Sequence, residues 1–67
     1  AEDVQDLLTK KLSDTDPQVR KNTALSLMKL TAFQAIEGLT KAANTEEDSD
    51  VKKVIDVAIK ILKAGNE

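Results

Sequence analysis

The chain has 67 residues, a net charge of −2, 40% apolar and 33% charged residues, which marks one small folded helical domain with a thin core and excludes a disordered chain. It has no cysteine and no histidine, which excludes disulfides, thiolate metal sites, thiol catalysis and histidine general bases together. The balance is acidic and Phe33 is the only aromatic residue, so no nucleic acid is expected as a partner, since such domains pair basic clusters with stacking rings.

The first predicted helix covers residues 3–12, where Val4, Leu7, Leu8 and Leu12 recur at helical spacing on one face. Ser13-Asp14-Thr15-Asp16-Pro17 then stops one helix and starts another. Asp16 is placed to accept from the free N–H groups of the next helix, and Pro17 suits its first position.

The second predicted helix covers residues 17–30, with Val19, Thr23, Ala24, Leu27 and Leu30 on one face and Leu25 and Met28 off it. Thr31 with Gln34 forms the Thr-x-x-Gln pattern of a capping box, which predicts a new helix start there. A continuous helix from 17 to 43 is the rival reading.

The third predicted helix, residues 32–43, has a narrow face of Ala32, Ala35, Ile36, Leu39, Ala42 and Ala43, weakened in its middle by Gly38. A polar loop follows, with Glu46, Glu47, Asp48 and Asp50 close together. Oxygen clusters suit Ca²⁺ or Mg²⁺. The EF-hand spacing fails here, because glycine and glutamate are missing from the required positions. Helix capping and solubility explain these acids, with cation binding as the sharper alternative.

The fourth predicted helix, residues 51–64, steps through Val51, Val54, Ile55, Ala58, Ile59 and Leu62, and Gly65 is its expected left-handed terminator. Its polar arc (Lys52, Lys53, Asp56, Lys60 and Lys63) spans only about 100° of the helical wheel. A side stripe of Val54, Val57 and Ile61 widens the apolar arc opposite. Two readings stand at this stage. Either the helix is central and covered on two sides, or the stripe awaits a partner. Leu25 and Met28 would extend such a patch, so the candidate partner-binding residues are Val54, Val57, Ile61, Leu25 and Met28.

The elements form two pairs. A shift of 32 aligns Val19-Arg20-Lys21 with Val51-Lys52-Lys53, Ser26-Leu27 with Ala58-Ile59, and Leu30 with Leu62. A shift of 31 aligns Leu8 with Leu39 and Leu12 with Ala43. The run from Asp14 to Arg20, followed by Ala24, Leu27 and Leu30, resembles the HEAT-like helical repeat, and residues 32–64 resemble a second, degenerate copy without the proline. The resemblance implies a scaffold of stacked helical hairpins that binds other proteins. Such arrays normally need about three repeats, so two copies must close into a compact four-helix bundle, pair with another chain, or belong to a longer array.

The reading at this stage is an all-α fold of four short helices in two antiparallel hairpins. Its function is that of a non-catalytic protein-interaction module, binding a partner protein or itself as a homodimer. No catalytic residue, cofactor or metal ligand is assigned. The longest apolar run, Val57-Ala58-Ile59, is three residues, so no transmembrane segment or secretory signal is expected and the location is cytoplasmic. The alternative from another class is a saposin-like helical bundle acting on lipid or membrane surfaces.

Overall fold

The computed structural model describes residues 4–66, with side chains described from Leu7 to Gly65. Four α-helices follow one another: α1 Val4–Lys11, α2 Pro17–Lys29, α3 Ile36–Thr45 and α4 Ser49–Asn66. A short 3-10 turn, Phe33–Ala35, joins α2 to α3. No strand occurs among the described residues.

The start of α2 follows from its sequence. Asp16 has extended backbone (φ −84°, ψ 117°) and its Oδ1 accepts from the Gln18 N–H at 2.9 Å. Pro17 occupies the first turn, where its missing N–H costs nothing. The end of α2 is less ordinary. Thr31 takes a left-handed conformation with φ 54°. Its N–H donates to Met28 O at 3.1 Å, and the Ala32 N–H donates to Leu27 O at 3.1 Å. These two bonds are the Schellman pattern that satisfies the last carbonyls of a helix.

That ending overturns the expected capping box. A capping threonine needs extended backbone to accept from the turn ahead. Thr31 is instead consumed in closing α2, and the 3-10 turn has no side-chain cap. The break between the second and third helices is real, and the continuous-helix reading fails. The third helix runs later than expected, as the 3-10 turn precedes α3.

The fourth helix begins at Ser49 and not at 51, because Asp48 caps it: its Oδ1 accepts from Asp50 N at 2.9 Å and Val51 N at 3.1 Å. Gly65 is not a left-handed terminator. It lies inside α4 and has no positive φ. A Cβ built there would lie 3.5 Å from the Phe33 ring, so Gly65 lies beneath that ring.

The hairpins α1–α2 and α3–α4 stack side by side. α2 packs on α4, and α1 meets α3 where a Cβ built on Gly38 would lie 2.7 Å from Thr9 Cγ2. The result is a slab of two helical layers, 29 × 28 × 17 Å. Its core is Leu12, Ala24, Leu27, Ala32, Ala35, Leu39, Ala43, Val51, Ile55, Ala58 and Leu62. Two residues placed on inward faces by spacing are not inside: Leu7 is 49% exposed and Leu30 52%. The side chain of Val4 lies outside the described set.

Candidate interaction surfaces

The two loops that join the helices within each hairpin are built alike. In the first, Asp14 Oδ1 accepts from Asp16 N at 2.9 Å; in the second, Glu46 Oε2 accepts from Asp48 N at 3.1 Å. In each, the second acid then caps the following helix. Asp14, Asp16 and Arg20 stand 32 residues before Glu46, Asp48 and Lys52.

Arg20 ties the loops together. Its Nε donates to Glu46 Oε1 at 2.8 Å and its Nη2 to Glu46 Oε2 at 2.9 Å, a two-pronged pair. Its Nη1 donates to the carbonyls of Asp14 at 2.8 Å and Thr15 at 3.1 Å. The Glu46 side chain is 3% exposed and that of Arg20 19%. The hydrogen bond from Arg20 holds the Glu46 carboxyl below its ordinary pKa, against the opposing effect of burial. The same bond raises the guanidinium pKa further. Lys52, the counterpart of Arg20, instead pairs with Asp56 on its own helix at 3.4 Å.

The pair lies at an open cleft of about 610 Å³ on the α1/α3 side, lined among others by Thr9, Leu12, Gly38 and Lys41. The carboxylates of Asp14 and Glu46 there are occupied by backbone N–H groups and by Arg20. Among the described residues no cluster of three acids has the arrangement to hold a metal ion.

The apolar candidates gather on the other layer. Leu25 of α2 and Val54 and Val57 of α4, with Lys53, line a shallow hollow of about 170 Å³. Val57 is 50% exposed and Ile61, one turn further along α4, 49%. Leu25 and Val54 are half-buried. Met28 is also half-buried, packs against the core and does not line the hollow. Four of the five candidates thus share one side, and the remainder of the α4 apolar arc is covered by α2 and α3. Sequence reasoning missed the Arg20–Glu46 pair. The signal that could have found it is the repeat itself, which aligns Glu46 with Asp14 beside the Val-Arg motif.

Two helical hairpins in register, each closed by an equivalent capping loop and stitched by a cation from one to an acid of the next, define a helical-repeat scaffold. The family model for HEAT repeats matches residues 1–62, and the chain belongs to the HEAT repeat family. Such repeats generally mediate protein interaction. The chain is 51% identical over 47 residues to the "Bilin biosynthesis protein MpeU" of Synechococcus sp. (strain WH8020), a match that covers 70% of this chain and 16% of that protein. The chain therefore spans about a sixth of the length of that relative. No solved structure matches. No helix among the described residues is long and apolar enough to cross a membrane.

Proposed function

We propose that this chain is a non-catalytic protein-interaction module that holds a partner protein on the Leu25, Val54, Val57 and Ile61 side of its α2/α4 layer. One observation carries the reading: two large aliphatic side chains stand half-exposed beside an apolar hollow, on a chain otherwise rich in charge. Contiguous exposed apolar surface of this kind marks contact sites. The residue inventory supports the non-catalytic part. Glu46, whose carboxyl pKa is shifted, is spent on Arg20, and there is no histidine or cysteine for it to activate.

The test is a double variant, Val57→Lys with Ile61→Lys. Helical circular dichroism should be unchanged while capture of the partner is lost. Loss of the fold would assign both residues to the core and end the reading. Sedimentation equilibrium over a wide concentration range separates a foreign partner (a monomer throughout) from self-association. Co-sedimentation with liposomes would favour a lipid surface instead.

The name of the 51%-identical relative favours a second, narrower reading: the partner is met in bilin biosynthesis. Titrating a bilin with this chain and following its visible absorption distinguishes the two ways this could hold. An unchanged spectrum, with capture of a protein, places the chain on the protein side of that process. A shifted spectrum means that the chain contacts the pigment itself.

A further inference from the structure

The helices α2 and α4 together carry seven basic residues and two acidic ones, in a chain whose net charge is −2. Four of these bases border the apolar stripe. Lys21 and Lys29 stand one turn before and one turn after Leu25 on α2, and Lys53 and Lys60 bracket Val57 on α4. Ion pairs among the described residues engage Arg20, Lys41 and Lys52, and none of the four bordering lysines has an acidic partner there. Of the two acids, Asp56 is held by Lys52. Asp50 lies in the first turn of α4, where the helix dipole favours it.

The apolar stripe between these lysines is long and recessed. It begins at the hollow formed by Leu25, Val54 and Val57 and continues along α4 through Ile61. One turn further, the exposed Phe33 ring lies over Gly65. From Val54 to Gly65 is about 16 Å along the axis, or about three turns of helix. A partner helix of that length offers apolar side chains at i, i+4 and i+7 to such a groove. The lysines and the recess limit the occupant. A second copy laid stripe to stripe would set ammonium against ammonium. A bilayer plane would meet the crests of α2 and α4 before it reached the hollow between them.

We propose that the occupant of this groove is an acidic amphipathic helix of a partner protein, its apolar side chains seated from the hollow towards Phe33 and its carboxylates meeting Lys21, Lys29, Lys53 and Lys60. The proposal rests on the reading of this side as a docking surface and adds the chemistry of what docks. Charge complementarity identifies the occupant: the unpaired ammonium groups speed encounter with an acidic helix and reject a basic helix of equal apolar content.

The experiment titrates the full chain into two labelled helical peptides of about 15 residues and follows fluorescence anisotropy at low salt. Both peptides carry leucines at i, i+4 and i+7. One flanks them with glutamates and the other with lysines. The glutamate peptide should bind more than about tenfold tighter than the lysine peptide, and added salt should weaken it. The methyl resonances of Leu25, Val54 and Val57 should shift as it binds. Lys53→Gln with Lys60→Gln should weaken the glutamate peptide roughly tenfold and leave the helical circular dichroism unchanged. Val57→Ala with Ile61→Ala removes apolar contact without adding charge and should weaken it too. Equal binding of both peptides, or a glutamate peptide indifferent to the lysine variants, would overturn the acidic occupant. The docking surface itself would still stand if the alanine pair weakened both peptides. Binding of neither peptide would also overturn the proposal, and co-sedimentation of the chain with phosphatidylserine vesicles would then assign the stripe to a lipid surface.

Discussion

Arg20 and Glu46 lie 26 positions apart and meet through two parallel hydrogen bonds, of 2.8 and 2.9 Å, that join the loop of one hairpin to the loop of the next. Because Arg20 also holds two carbonyls of its own loop, this one side chain fixes the relative placement of both turns. Arg20→Lys should therefore not substitute well, as an ammonium cannot reproduce the fork. The melting temperature of Arg20→Lys should fall below the parent and lie close to that of Arg20→Ala. A lysine variant as stable as the parent would show that charge alone suffices.

The pair also sets the response to acid. Glu46 has a lowered pKa in the folded chain, first because Arg20 bonds to it. The unfolded chain binds its proton more readily, so the contribution is complete above the ordinary value of about 4.5 and is lost as pH falls through the depressed folded value. The melting temperature of the parent should drop more steeply below that ordinary value than that of Glu46→Gln. Parallel pH profiles for the two proteins would refute the assignment.

Thr31 is a β-branched residue held at φ 54°, a region that costs a residue with a Cβ roughly 1–2 kcal/mol. Thr31→Gly should stabilise the chain by about 1 kcal/mol, after allowing for the greater freedom glycine has when unfolded. Urea denaturation at neutral pH measures it. A destabilised glycine variant would mean that the threonine side chain makes a compensating contact.

Gly38 is inside α3, where glycine costs about 1 kcal/mol relative to alanine. Alanine there should still destabilise, since the new Cβ would lie 2.7 Å from Thr9 Cγ2 and a β-branched side chain has little freedom to turn away. Thr9→Ser removes that methyl. The pair Gly38→Ala with Thr9→Ser should recover the loss, giving a favourable coupling in a double-mutant cycle. Additive effects would place the two residues out of contact.

Ile55 is 0% exposed, against 50% for Val57 two residues later. Ile55→Val should cost about 0.5–1.5 kcal/mol and Ile55→Ala roughly 2–5 kcal/mol. The larger loss is enough to unfold much of so small a chain. Val57→Ala should change stability far less. Equal losses at the two sites would show that Val57 is covered in solution.

The helical repeat was legible because its signals are local. Asp16-Pro17 caps α2 as its spacing indicates, and the apolar steps of α4 put Val51, Ile55, Ala58 and Leu62 in the core. What failed depended on context. Thr31 and Gln34 carry a capping-box pattern, yet the chain used Thr31 to end the helix before it. Gly65 reads as a terminator and serves instead as a flat place for Phe33. Leu7 and Leu30 have core spacing, yet each stands about half exposed, because spacing places a residue on a face without saying whether another element covers it. The hollow was partly legible, since Leu25, Val54 and Val57 were singled out, but helix spacing alone could not show that Met28, half-buried against the core, stays out of its lining.

The close approach at Gly38 has a geometric consequence. The Gly38 hydrogens and the Thr9 methyl meet where α1 approaches α3, while the main contact between the hairpins runs through α2 and α4. A larger side chain at position 38 would prise the α1/α3 edge apart and leave the α2/α4 contact as the hinge.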